Sequence, residues 1–294
     1  MQKVLYLLTL LLITVYTYAD VSPVVINRLT NNEGLSNSSV NVIYQDSNNL
    51  MWFGTWDGLN LYNSREFKTF KPNPNVPGNI TNNIIRDIIE TTKGRLWITT
   101  DNGINLYTPE AMRFQSFFYD NKENSIFKER SFLICKNSHN KVIASVYNTG
   151  LYYFDEELSD FILIRNLKET SLKKLFFDKD DNLWLFTDNN SLYRVNLDWS
   201  KNKPDIKDIK PVILSQSSHD VFYNLYTNQI WEQNENRHIN IYDVPTETKI
   251  TEIPFSKVIS SIIFEKTGYV IGTANGLFSI QAQNHEITTL IEDI

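Results

Sequence analysis

Residues 35–63 repeat themselves, without a gap, 45 residues later as residues 80–108. LSNSSVNVIYQDSNNLMWFGTWDGLNLYN aligns with ITNNIIRDIIETTKGRLWITTDNGINLYT. Trp52 falls on Trp97, Gly58 on Gly103, Asn60 on Asn105, Leu61 on Leu106 and Tyr62 on Tyr107. A self-match at this period means an array of supersecondary units, each too small to bury its own apolar face without its neighbours. The tryptophan position recurs at Trp52, Trp97, Ala144, Trp184, Trp231 and Val270. The repeats are read as residues 34–78, 79–124, 125–167, 168–213, 214–256 and 257–294.

Within a unit the hydrophobic period is that of strands. In the first repeat, strands are expected at 40–44, 50–54, 59–62 and 67–70, and in the second at 84–89, 95–99 and 104–107. Each run is rich in Val, Ile, Tyr, Phe or Trp and bounded by Asn, Asp, Gly or Ser. Between the second and third strands stand Asp57-Gly58, Asn102-Gly103, Thr149-Gly150 and Asn275-Gly276. Such pairs predict type I′ hairpins, in which both central residues take positive φ. Repeats four and five lack that Gly and carry one more turn residue, at Asn189-Asn190-Ser191 and Asn236-Arg237-His238. Four antiparallel strands per unit of roughly 44 residues describe a blade of an all-β β-propeller. Helical repeats of similar length are excluded, because no segment sustains an i, i+3, i+4 pattern; residues 167–177 come nearest. The Gly-His and Trp-Asp signatures of the tryptophan–aspartate repeat are absent, and the spacing does not fit the sialidase Asp-box.

The run Asp46 to Tyr62, DSNNLMWFGTWDGLNLY, resembles the two-component regulator propeller repeat, whose pattern is roughly D-x-x-G-x-[LM]-W-[IF]-G-T-x-x-G-[LI]-x-x-[YF]. GRLWITTDNGINLY in repeat two and GYVIGTANGLFSI in repeat six are similar to it. The opening of the first repeat resembles the periplasmic sensor region of hybrid two-component histidine kinases from glycan-degrading Gram-negative bacteria. That resemblance implies two consecutive seven-bladed propellers and a β-sandwich, followed by a membrane helix, kinase, receiver and DNA-binding domain. Here it implies about six blades of an incomplete seven-bladed ring, on a chain truncated at its C-terminus. It further implies a homodimeric parent in which the remaining propeller and kinase modules are the partners. This chain itself is then no enzyme.

The first 19 residues read as a secretory signal peptide: Lys3, an apolar stretch of about a dozen residues, then Thr17-Tyr18-Ala19. Residues 20–294 then form a periplasmic sensor propeller. Val24 to Leu29 reads as the outermost strand of a blade: either six blades close with it added to an already complete blade, or further blades are missing and a gap separates the first and last blades, the second being the expectation here. A net charge of −6 offers no electrostatic attraction for nucleic acid. Cys135, alone of its kind, is expected buried and inert. His139, His219, His238 and His285 lack ligand spacing, and no metal or cofactor is expected.

Trp52, Trp97, Trp184 and Trp231 are expected to pack between blades, and Gly58, Gly103, Gly150 and Gly276 to serve the turns. Asp46 and Asp178, each six residues before a Trp, are read as acceptors for turn N–H groups. Strand direction places the second-to-third hairpins and the inter-blade connections on one face. There the tips carry Trp56 and Asp57, Asp101 and Asn102, Tyr147 and Asn148, and Asp188 and Asn189. Unlike the Trp column, these positions vary from repeat to repeat. An exposed indole beside carboxylates and amides suits an oligosaccharide, stacking on the apolar face of a pyranose while polar groups take its hydroxyls. The rival readings are a secreted lyase or glycosidase acting on polysaccharide, and a protein-binding scaffold. For the enzyme, the first-strand residues Asn41, Arg86 and Lys173 do not suggest a catalytic set.

Overall fold

The computed structural model describes residues 28–118, 132–167, 170–201, 203–215 and 218–292. The expected signal peptide and residues 24–27 of the expected closing strand lie outside them. The chain folds as six four-stranded antiparallel sheets in sequence order, arranged as a β-propeller. Blade one comprises Val40–Gln45, Met51–Thr55, Gly58–Tyr62 and Phe67–Phe70. Blade two comprises Ile85–Glu90, Leu96–Thr100, Gly103–Thr108 and Arg113–Phe117. The first strands of blades three to six are Phe132–Lys136, Leu172–Phe177, Ser218–Asn224 and Ile259–Phe264. Residues 172–177, in the most helix-like stretch of the sequence, are thus a strand. Among the described residues the only helical elements are two three-residue 3-10 turns.

Among the described residues, five apolar clusters join successive blades. Trp52 packs with Ile88 and Ile98 of blade two, and Trp97 with Ile134 and Phe154 of blade three. Trp184 packs with Val221 and Ile230 of blade five, and Trp231 with Tyr269 and Ile271 of blade six. Each tryptophan therefore faces the next blade. Trp97 is 0 % exposed, with ring centroids of Phe154, Phe161 and Phe117 at 4.7, 5.5 and 5.7 Å. Among the described residues no such cluster joins blade six to blade one. Ile43, the counterpart of Ile88, is accordingly 57 % exposed where Ile88 is 2 %.

The structure corrects the sequence reading in three places. In blade three the Trp position is held by Ile143, not Ala144. Ile143 pairs with Cys135 as Trp52 pairs with Tyr44, and it packs toward blade four, whereas Ala144 faces blade two. The cause is a longer turn: Tyr147-Asn148-Thr149 lies between paired Val146 and Gly150, where blades one and two have two residues between Thr55 and Gly58 and between Thr100 and Gly103. Second, the hairpins are not type I′. Gly58, Gly103 and Gly276 have φ of 126°, 100° and 148°, but Asp57, Asn102 and Asn275 do not take positive φ. These glycines open the third strand (Thr55 pairs with Gly58), so the bend at the turn's exit needs one positive φ rather than two.

Third, Gly150 has no positive φ; Asn148 takes it instead, at 56°. A Cβ on Gly150 would stand 2.4 Å from the Arg165 carbonyl oxygen, so lack of space fixes glycine there. The extra turn residues of blades four and five do take positive φ, at Asn190 (62°) and Arg237 (65°).

The two aspartates do more than cap a turn. One oxygen of Asp46 accepts the N–H groups of Asn48 and Leu50, both at 2.9 Å, and the other accepts the Trp52 indole N–H at 2.9 Å. Asp178 repeats this on Asp180, Asn182 and, at 2.8 Å, the Trp184 indole. Each carboxylate ties the first hairpin to the inter-blade tryptophan.

Candidate functional site

Main-chain bonds stitch the second-to-third hairpins to the inter-blade connections. Gly58 N–H donates to Asn83 O at 2.8 Å, Asp101 N–H to Ile84 O at 3.2 Å, and Asp188 N–H to Ser171 O at 3.0 Å. The tip residues singled out in the sequence therefore share a face with the inter-blade connections and stand beside the starts of the innermost strands.

The tip residues form two groups. In the first, the Trp56 ring is half exposed and its indole N–H donates to Asn41 Oδ1 at 3.0 Å. Asn41 Nδ2 in turn donates to Ile85 O across the blade boundary, at 2.7 Å. The Arg86 guanidinium lies 5.4 Å from the Trp56 ring centroid. It grips Asp101 with two bonds, Nε to Oδ1 at 2.5 Å and Nη2 to Oδ2 at 3.0 Å. This contact pushes the Arg86 pKa above its ordinary value, so the guanidinium stays charged. Asp57 pairs with Lys71 of the first inter-blade connection at 2.6 Å. Indole, amide, guanidinium and carboxylate are thus held together on the seam of blades one and two. The second group lies on blade four. Asp188 and Asn189 line a cavity of about 370 Å³ with Ser171, Thr187 and Tyr193. Lys173 Nζ donates to Asn190 Oδ1 at 2.7 Å beside it.

Tyr147 and Asn148 stand on blade three's own tip, where the Thr149 hydroxyl donates to Tyr147 O at 3.2 Å. Asn102 holds the blade-two turn: its N–H donates to Thr100 Oγ1 at 3.1 Å, and its carbonyl accepts from Thr81 Oγ1 at 2.7 Å. Asn41 and Arg86 are the residues that sequence reasoning failed to place here. They and Lys173 occupy one column, eleven residues before Trp52, Trp97 and Trp184. That spacing is legible in the sequence, but nothing in it says which face of the blade the column meets. The fold turns the column toward the hairpin tips. Among the described residues no group of three His, Cys, Asp or Glu is placed to hold a metal.

A family model described as "Two component regulator propeller" matches residues 34–57 and 79–102. A search of the curated proteins gave no match. Among solved structures, the chain is similar to the extracellular domain of BT3049 from B. thetaiotaomicron, assigned to the hybrid two-component systems: 22% identity, TM-score 0.71, covering 92% of this chain and 37% of that one. The corresponding domain of BT4673 from the same organism gives 18% identity and a TM-score of 0.68, over 86% and 36%. The WD40 domain of Neurospora crassa Pan2 gives 13% identity and a TM-score of 0.57, over 84% and 76%. The chain spans little more than a third of the two extracellular domains. Residues 34–57 and 79–102 carry the two-component regulator propeller repeat, and the chain shares the propeller fold of those extracellular domains.

Proposed function

We propose that this propeller is an extracytoplasmic sensor module that binds a glycan-derived oligosaccharide on the hairpin face. The repeat match and the extracellular setting of the similar domains support the sensor part. The ligand class is carried by the half-exposed Trp56 ring set beside Arg86, Asp101 and Asn41. A pyranose stacks on the indole, and fixed donors and acceptors read its hydroxyls. Binding favours one arrangement of the sensor and biases a histidine kinase in a homodimeric parent across the inner membrane. The test is calorimetric titration with a panel of neutral and acidic oligosaccharides. At least one should bind, and Trp56→Ala should abolish its binding while the circular dichroism spectrum is unchanged. Full affinity in that variant, or no binding across the panel, would remove the glycan reading.

A further inference from the structure

The innermost strands of blades two to six line one cavity of about 420 Å³ at the centre of the ring. Its wall is mostly apolar and aromatic, with Ile134, Leu175, Phe222, Ile262 and Phe264. Two features of opposite charge stand in it. Lys174 is already satisfied: its Nζ lies 2.9 Å from Asp220, 2.8 Å from Val221 O and 3.6 Å from the Phe222 ring centroid. Asp87 is not. Its carboxylate accepts only the N–H of its own neighbour Ile88, at 2.8 Å, and among the described residues no cation pairs with it. Burial raises its pKa to about 6, opposed only by that one hydrogen bond. A carboxylate partly withdrawn from water without a counter-ion carries a cost, and a bound cation reduces it.

We infer that the central channel is a second binding site, taking a small organic ammonium compound whose charged nitrogen meets Asp87 and whose apolar body lies against Phe222 and Phe264. Lys174 shows the chemistry in the same channel: an ammonium held between a carboxylate, a backbone carbonyl and an aromatic face. The volume falls within the ordinary range of small-molecule pockets. The other charged side chain on this wall is Lys173, whose Nζ is turned to Asn190 at the hairpin face.

The probe is 2-phenylethylammonium, titrated by calorimetry into the whole chain near neutral pH, with 2-phenylethanol and 3-phenylpropionate as neutral and anionic matches. The ammonium should bind with a stoichiometry of one, and neither match should bind. Asp87→Asn should weaken binding by about tenfold or more, the scale of a charge-assisted hydrogen bond. That variant loses a poorly solvated charge, so it should fold at least as well as the parent. Trp56→Ala should leave ammonium binding unchanged, which separates this site from the glycan face. Equal binding of the alcohol, full affinity in Asp87→Asn, or no ammonium binding at about 1 mM would overturn the inference.

Discussion

Replacing Thr91 with Asp should stabilise the protein by about 1 kcal/mol. Trp97 is fully buried, and its indole N–H has no hydrogen-bond partner. Thr91 stands six residues before it, where Asp46 and Asp178 serve Trp52 and Trp184. The hairpins match in length: Thr91 N–H donates to Arg95 O at 2.9 Å, as Asp46 does to Leu50 and Asp178 to Asn182. An Asp at 91 would therefore reach both the indole and the turn N–H groups, and a buried unsatisfied donor costs about 1–3 kcal/mol. Two effects reduce the gain. The site is nearly closed to water, so the new charge loses solvation. Glu90, adjacent and buried, already holds the Ser47 N–H and hydroxyl at 2.8 and 2.6 Å. Thermal unfolding followed by circular dichroism should show a rise of about 2–4 °C. The decisive background is Trp97→Phe, which keeps an aromatic ring but removes the N–H. There, Thr91→Asp should lose its advantage, giving a coupling of about 1 kcal/mol. Equal effects in both backgrounds, or destabilisation by Thr91→Asp alone, would refute the account of the Asp–Trp tie.

Trp97→Ala should cost about 3–5 kcal/mol in urea unfolding, because the cavity lies between two blades. Asp178→Ala should cost about 2 kcal/mol, by stranding the Trp184 N–H and the turn donors together. Asp87 binds its proton more tightly folded than unfolded, about 6 against 3.8, so this stabilisation is complete below 3.8 and is lost as pH rises through 6. Asp87→Asn should therefore exceed the parent in stability near neutral pH, by at most about 3 kcal/mol because the side chain keeps some solvent contact, and the difference should vanish near pH 4. Cys135 is buried, and burial raises its thiol pKa well above the ordinary value, so mass spectrometry after thiol alkylation should show labelling only once the protein is denatured.

Strand type, blade content and the inter-blade role of the tryptophans were legible in the sequence, because each rests on local chemistry: period-two apolar runs, turn residues, and a large aromatic repeated at one column. The 45-residue self-match made Trp52 and Trp97 unambiguous. Blade three escaped, since a single extra turn residue moved its register by one, and only the pairing of Ile143 with Cys135 shows which side of the strand faces blade four. The glycine column looked like one backbone requirement; tertiary structure gives positive φ at Gly58, Gly103 and Gly276, with no room for a Cβ at Gly276 as well, and lack of room alone at Gly150. The candidate site follows the same division. Its residues could be assigned to a face from strand direction alone. That Arg86 bridges Trp56 and Asp101, and that Asp87 stands one residue away in an apolar channel, depends on how neighbouring blades meet. Adjacent residues of a strand point to opposite sides, so the environment of each is set by a different neighbour, and a repeat period records the column without saying what will stand opposite it.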